Sequence, residues 1–183
     1  MKNRNRQHRL FFVFSLWLFL QIVLVPVSGQ TTAISGIVNS YYPVLEIIPA
    51  KACIRLSSTA GLTVNDQILL LQMKGAAITT SNNSSFGTVT ALNEAGNYET
   101  GTICSIKGDS VFLFHLLQNT YTPATGKVQL VPFASYVSAN VTDTVKAAPW
   151  NNSTGTGGVI AIFTEQDLIL NAPVYAGGHG YRG

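Results

Sequence analysis

The sequence predicts an all-β fold: a barrel or sandwich domain followed by the start of a Gly-rich β-solenoid, behind an N-terminal signal helix. Three observations predict it. Charged residues make up only 10% of the 183 residues and hydrophobic ones 46%, a balance typical of extracellular β domains. Short apolar runs separated by turn residues recur about every ten residues. From residue 148 onward, short strand-like runs alternate with glycine-rich turns, as in solenoid coils.

The N-terminus reads as an export signal. Residues 1–9 are basic, Leu10–Val27 is almost wholly apolar, and small residues follow. Val27 and Gly29 fit the −3 and −1 positions of a signal peptide, which predicts recognition by the secretion machinery and cleavage after Gly29. A retained membrane anchor is the alternative, because a run of about eighteen apolar residues can just span a bilayer. The helix-breaking Pro26 favours cleavage.

The charge distribution excludes nucleic acid as a partner. Four of the eleven basic residues lie within the first nine positions, so seven basic residues face eight acidic ones after Gly29, a net charge near −1. No run of the mature sequence concentrates Lys and Arg. The basic patch that phosphate backbones require is therefore missing.

The strongest strand signal lies within Leu62–Gly75, the longest apolar run outside the N-terminus. We interpret Gln67–Met73 as the central strand of the domain. The run Ile68–Leu71 alone also fits a buried helix, but its shortness and its turn-forming flanks favour a strand covered on both faces.

The other elements follow from alternation and turn residues. The polar run Ala76–Phe86 predicts an exposed loop, Val89–Ala95 one helical turn, and Asn119–Gly126 a second loop. Further strands are predicted at Ile34–Val38, Tyr41–Ile48, Ala52–Leu56, Gly96–Ile106, Val111–Leu117, Val128–Phe133 and Tyr136–Val141.

The composition changes at Ala148–Gly158, which we take as a domain boundary. The predicted domains are a signal peptide over 1–29, a β-barrel or sandwich over 30–147, and a Gly-rich linker with the first solenoid-like coil over 148–183. One coil cannot bury its apolar face alone. We therefore expect the chain to be the N-terminal piece of a longer protein, with further domains beyond Gly183.

The two cysteines of the mature sequence, Cys53 and Cys104, lie in strand-like segments. Export permits a disulfide between them, which would add a few kcal/mol. Two buried free thiols on neighbouring strands are the alternative. Without a nearby pair of histidines they cannot complete a metal site, so no metal is predicted.

The search for catalytic chemistry finds no convincing site, and the chain is predicted not to be an enzyme. His115 stands among apolar strand residues, which favours a structural role. The acid pairs Glu94 with Glu99 and Glu165 with Asp167 are interpreted as solvent-exposed surface residues. The glycines of Gly178–Gly183 match a dinucleotide fingerprint, which functions only before a helix. We interpret them as a solenoid turn and predict no cofactor.

Aromatic residues offer a sugar-binding hypothesis. Flat aromatic faces bury the apolar faces of sugar rings, while loop amides bind the hydroxyl groups. Cross-strand packing is the alternative role for most of them. The candidate platform residues are Tyr41, Tyr42, Tyr98, Tyr121, Tyr136 and Trp150.

Several motifs together resemble the N-terminal region of large secreted Bacteroidota proteins that are adhesin-like and often linked to gliding motility. The motifs are Asp66-Gln-Ile-Leu-Leu-Leu-Gln-Met-Lys-Gly75, Asn97-Tyr-Glu99, Val128-Gln-Leu130, Pro149-Trp150, Gly157-Gly158 and Gly177-Gly-His-Gly-Tyr-Arg-Gly183. The resemblance spans most of Ser35–Gly183. It implies a cell-surface or secreted protein and export by type IX secretion. It also implies O-glycosylation at Ser110 and Thr144, which follow Asp and precede Val.

We therefore expect a non-enzymatic exported structural or adhesion module at the N-terminus of a larger protein. Its expected partners are cell-surface or extracellular glycans or proteins. A carbohydrate-binding accessory module of a secreted polysaccharide-acting enzyme is the alternative function.

Export predicts that the mature chain begins at Gln30. Intact-mass measurement of the exported protein checks this, with the uncleaved chain as the mass reference. A mature N-terminus before Leu10 would contradict cleavage and support the retained anchor.

Overall fold

The structure, a computed structural model, describes residues 30–181, so the predicted signal helix lies outside the described residues. The protein is all-β, with 45% strand and 5% helix, which confirms the predicted fold class. The strands are β1 Thr31–Gly36, β2 Tyr42–Ile48, β3 Cys53–Leu56, β4 Gln67–Gln72, β5 Ala77–Ile78, β6 Val89–Ala91, β7 Tyr98–Lys107, β8 Ser110–Leu113, β9 Val128–Pro132, β10 Ala134–Tyr136, β11 Ser138–Lys146, β12 Ile162–Thr164, β13 Leu168–Leu170 and β14 Val174–Tyr175.

Six of these strands close into an antiparallel barrel in the order β2-β3-β8-β7-β4-β9. Alternating apolar residues fill its interior, because successive side chains of a strand point to opposite faces. On β4, Ile68 and Leu70 are fully buried while Leu69 and Leu71 are half-buried. The interior is formed by Val44, Ala52, Ile54, Leu56, Leu62, Ile68, Leu70, Ile103, Val111, Leu113, Val128 and Leu130.

The predicted central strand β4 does lie in the middle of the barrel sheet, between β7 and β9. One detail of its prediction was wrong, because β4 is not covered on both faces. That description fits β9 instead. Val128 and Leu130 fill the barrel, while the alternate residues Gln129 and Val131 are also fully buried.

A second, parallel system of strands stands beside the barrel. β11 pairs with β1 on one side and with β13 and β14 on the other, and β10 pairs with β12. Its own small core contains Ile34, Ala139, Val141 and Val145. β1 and β11 therefore belong to this parallel system, although the predicted barrel or sandwich domain of residues 30–147 included them. The closed barrel spans β2 to β9.

Short elements differ from their predictions. The segment Val89–Ala95, predicted as one helical turn, begins as β6 and continues into a turn. β6 pairs with β5, which lies within the predicted loop Ala76–Phe86. The predicted loop Asn119–Gly126 contains a short helix, α1, at Pro123–Gly126, where Pro begins the helix because its fixed φ suits the first turn. The predicted strand Val111–Leu117 is shorter, since β8 ends at Leu113.

Two buried side-chain amides, Asn39 in the connection before β2 and Gln129 on β9, bind the segment that enters β12. The Asn39 amide donates to the carbonyl of Ala161 at 2.7 Å and accepts from its N–H at 2.9 Å. Gln129, fully buried, makes the same pair of bonds with Gly157, at 3.0 and 2.9 Å. We call Asn39 and Gln129 the amide clamp. Between its two contacts, the Tyr41 hydroxyl donates to the carbonyl of Val159 at 2.7 Å.

Gly157 is the residue that this packing requires. Its φ is +111°, a conformation that L side chains rarely adopt. A Cβ there would lie 2.5 Å from the carbonyl oxygen of Pro149. The absence of a side chain thus lets residue 157 lie against the backbone of Ala148 and Pro149.

Gln129→Met should lower the free energy of unfolding by about 2–4 kcal/mol, because it leaves the buried N–H and carbonyl of Gly157 without partners. Urea unfolding of the variant and the parent measures the loss. Gln67→Met is the matched control, since the Gln67 side chain is exposed on β4. Equal stability of the two variants would contradict a stabilising role for the amide clamp.

Candidate functional site

Three of the six candidate platform residues pack against the protein's cores. Tyr42 and Tyr121 contact the barrel core, and Tyr136 the parallel core. Tyr121 donates to Glu99 Oε1 at 2.8 Å. Burial, followed by the interaction with Glu99, raises the pKa of Tyr121 well above its usual value, and burial also raises the pKa of Tyr136. Tyr42 and Tyr136 therefore pack from strands, whereas Tyr121 packs from the loop after β8.

Tyr41 and Tyr98 occupy contrasting environments. Tyr41 lies at the junction of barrel and parallel strands, where its hydroxyl accepts from the Ala148 N–H at 3.2 Å. Burial raises its pKa. Tyr98 is 65% exposed on β7. The tyrosines of the predicted platform therefore do not share one environment. Three pack against a core, Tyr41 lies at the junction, and Tyr98 is exposed.

Trp150 belongs to an aromatic cluster that the sequence did not predict. Its ring meets the Tyr181 ring edge-on, with centroids 5.4 Å apart, and its Nε1 donates to Asn152 Oδ1 at 2.6 Å. The Lys74 ammonium lies 5.5 Å from the centroid of the Tyr181 ring, a cation–π distance. Residues 74 and 181 are far apart in sequence, and only the fold brings them together.

A groove of about 910 Å³ opens beside this cluster. We call it the Lys74 groove. Its volume falls in the range of sites that bind drug-sized ligands. It is lined by Met73, Lys74, Gly75, Ala76, Ile78, Asn93, Glu94, Ala95, Thr122, Thr125 and Tyr181.

The fully buried Gln72 fixes the base of the Lys74 groove. Its Nε2 lies 2.9 Å from the Lys74 carbonyl, 3.0 Å from the Asn93 carbonyl and 2.9 Å from Thr122 Oγ1. Its Oε1 accepts from the Thr122 N–H at 2.8 Å. Three separate segments of the lining thus converge on one amide. Gly75, at φ +138°, allows this approach, since a Cβ there would lie 2.7 Å from the Asn93 carbonyl.

A second cleft, of about 390 Å³, places Glu99 and His115 together. The Glu99 carboxylate accepts three hydrogen bonds. It accepts from the backbone N–H groups of Gln118 at 2.9 Å and Asn119 at 3.2 Å, besides the Tyr121 hydroxyl. These bonds hold the loop after β8 against β7. The carboxylate therefore holds this loop in place.

Glu94 and Glu99, the first acid pair considered from sequence, line different clefts. Glu94 lines the Lys74 groove, whereas Glu99 lines the second cleft. Glu165 lies in a third cleft of about 350 Å³ with Asp66. Within residues 30–181, no three His, Cys, Asp or Glu side chains are grouped so that they could hold a metal ion.

The predicted disulfide is not formed, and the alternative of two buried thiols on neighbouring strands is also wrong. Cys53 on β3 is buried, while Cys104 on β7 is exposed at a bulge beside β8. β8 lies between β3 and β7, so the two strands are about 9–10 Å apart. A disulfide needs Cα atoms within about 7 Å.

The two serine and threonine positions implied as O-glycosylation sites lie on strands. Ser110 begins β8 after the hairpin turn and donates to Asp109 Oδ1 at 3.1 Å. Thr144 lies in β11, where its N–H bonds to Asp143 Oδ1 at 2.6 Å. Both residues are half-buried.

No family profile and no curated protein matches this sequence. Among residues 30–181, none of the helices has the length and apolar character needed to cross a bilayer.

Three solved structures with partial similarity to this chain are phage tailspikes. One, from Acinetobacter baumannii bacteriophage AP22 in complex with A. baumannii capsular saccharide, is 11% identical over 76% of this chain, with a TM-score of 0.39. The tailspikes of Pseudomonas phages LKA1 and phi297 are 13% and 10% identical over 66% and 68% of this chain, with TM-scores of 0.34 and 0.36. This chain spans about one fifth of each (20%, 21% and 21%). TM-scores below 0.5 do not establish a common fold.

Cys104 should react with iodoacetamide in the native protein, whereas Cys53 should react only after unfolding, because only Cys104 is exposed. Mass spectrometry of peptides from native and urea-treated samples checks this within one chain, each thiol serving as the control for the other. A peptide linking the two cysteines in oxidised material would contradict a barrel in which β8 separates β3 from β7.

Proposed function

We propose that this chain is a non-enzymatic, exported scaffold and attachment module at the N-terminus of a larger cell-surface or secreted protein. This is the role implied by the resemblance to Bacteroidota adhesin-like proteins and type IX secretion cargo. The observation that carries the proposal is an open apolar face on the parallel strands.

The parallel strands stack with a regular offset. Ala139 pairs with Leu168, Val141 with Leu170, and Val145 with Val174, each 29 positions later. The same offset continues past the strands, where the Trp150 N–H donates to the carbonyl of His179 at 2.8 Å. This regularity supports a coil that stacks on a preceding coil, the arrangement of a solenoid.

Residues in register on stacked parallel strands share one face, yet their burial differs sharply. Val141 is fully buried, whereas Leu170, which pairs with it, is 62% exposed. Leu168 and Val174 are 41% and 43% exposed, although their partners on β11 are fully buried. The apolar face that is covered at the level of β11 is therefore open at the level of β13 and β14. A further coil with the same offset would cover it.

The edges of the same strands are open to pairing. Within the described residues, β12 pairs only with β10, and β13 and β14 only with β11. Unpaired edges with exposed apolar side chains are templates for another strand. In this proposal the occupant is a further parallel coil, contributed by the continuation of the chain beyond Gly183.

In a chain that ends at Gly183 the proposed covering coil is missing, so Leu170→Lys should suppress self-association of that chain, since an uncovered edge pairs with whatever strand reaches it. Sedimentation velocity over a concentration series measures association, and the melting temperature should stay unchanged because Leu170 is largely exposed. Phe86→Lys is the control, as Phe86 is 67% exposed between β5 and β6. A parent chain that stays monomeric throughout, or equal suppression by the control, would contradict the proposal.

A carbohydrate-binding accessory module is the second candidate, with extracellular glycans as partners. The cluster of Trp150, Tyr181 and Lys74 beside a preformed groove favours it, because sugar sites combine aromatic faces with polar side chains. Loss of glycan binding in Trp150→Ala would support this function, and unchanged binding would count against it.

A further inference from the structure

We infer that the Lys74 groove binds a neutral oligosaccharide. The inference rests on the carbohydrate-binding candidate, and it adds a specific groove, a class of ligand and the side chains that recognise it. It is independent of the open face of the parallel strands.

The groove is preorganised. Gln72 ties the backbone at Lys74, Asn93 and Thr122 to one buried amide, and the Asn93 side chain donates to the Gly75 carbonyl at 3.0 Å. The three segments therefore hold their positions before a ligand arrives. Preorganisation reduces the ordering cost of binding, which matters for sugars because each of their hydroxyl groups contributes little net affinity.

Two opposite charges line the groove without neutralising each other. Within the described residues the ion pairs are those of Arg55 with Glu46 and Asp109, so neither Lys74 nor Glu94 has an ionic partner. Lys74 offers three donors and Glu94 offers acceptors. A hydroxyl group can accept from the first and donate to the second, and a sugar ring carries several such groups.

The other residues that line the groove suit the remaining hydroxyl groups and the apolar face of a sugar ring. Thr122 and Thr125 add neutral polar atoms, while Tyr181 and the half-exposed Ile78 provide apolar surface. The apolar face of a pyranose ring packs on such surface. The volume of about 910 Å³ is in the range for drug-sized ligands, which indicates more than one ring.

The charges also select the class of glycan. The Lys74 ammonium would attract a uronate or sulfate group, but the Glu94 carboxylate in the same groove would repel it. When the anionic group lies at similar distances from the two side chains, the attraction to Lys74 and the repulsion from Glu94 roughly cancel. A neutral glycan uses both side chains as hydrogen-bonding groups and encounters no repulsion.

A glycan array of neutral and acidic oligosaccharides tests the inference, using cello-, malto- and manno-oligosaccharides beside alginate and sulfated oligomers. The exported parent chain should bind at least one neutral oligosaccharide in preference to the acidic ones. Lys74→Met and Glu94→Gln should each weaken that binding about tenfold or more, the effect of losing one hydrogen bond to a charged group. Titration calorimetry with the best array ligand gives the fold-change.

Matched controls separate the groove from general charge effects. Lys107→Met removes a second ammonium that lies over a ring, 5.6 Å from the centroid of Phe112. Glu165→Gln removes an exposed carboxylate outside the groove. Both should bind as the parent does, and melting temperatures confirm that all four variants are folded. If Lys74→Met lost its fold, Glu94→Gln alone would decide.

Three results would overturn the inference. Preference for acidic glycans would overturn the ligand class. Neutral-glycan binding unaffected by both groove variants would overturn the site and leave the carbohydrate-binding candidate standing. Absence of binding to any glycan would overturn the inference together with that candidate, while the scaffold proposal is decided separately by the self-association of Leu170→Lys.

Discussion

The amide clamp is the interaction on which the rest of the structure depends. A side-chain amide carries one acceptor and a pair of donor hydrogens in a plane, so it can satisfy both the N–H and the carbonyl of one backbone residue, as a neighbouring strand would. Asn39 does this for Ala161, and Gln129 does it for Gly157. The segment between them thereby gains partners for its backbone without joining a sheet. Buried backbone groups require such partners, because leaving one unpaired costs about 1–3 kcal/mol.

Both proposed surfaces follow from that junction. The clamp fixes the segment that enters β12. It therefore also sets where β12 pairs along β10, and where β13 and β14 pair along β11. It also fixes Gly158, whose backbone lies against Gly180, since a Cβ at Gly158 would lie 2.7 Å from the Gly180 Cα. Tyr181 follows directly and reaches Lys74. One wall of the groove is therefore positioned by the same contacts that position the stack.

Neutral amides, and not ion pairs, make the tertiary joints of this low-charge chain. Gln72 joins the loops around the groove, and Gln129 and Asn39 join the barrel to the parallel strands. All three residues are buried, and no buried side-chain nitrogen or oxygen among the described residues lacks a hydrogen-bond partner. The ion pairs of Arg55 are surface pairs, which contribute little to stability. Such joints do not titrate and are only weakly screened by salt, because neutral amides carry no net charge.

The sequence by itself determined the local elements. Apolar alternation and turn residues identified the β class, the central strand β4 and the solvent-exposed run after it, because these depend on near neighbours. The tertiary structure alone decided which strands are adjacent. It placed β8 between the two cysteines, assigned β1 and β11 to the parallel strands, and brought Lys74 to Tyr181. Pairings between residues far apart in the chain leave no periodic signal, and a buried glutamine reads in sequence like an exposed one. The clamp residue Gln129 was therefore visible in the sequence only as a polar interruption of a strand, and its role was set by the backbone that packed against it.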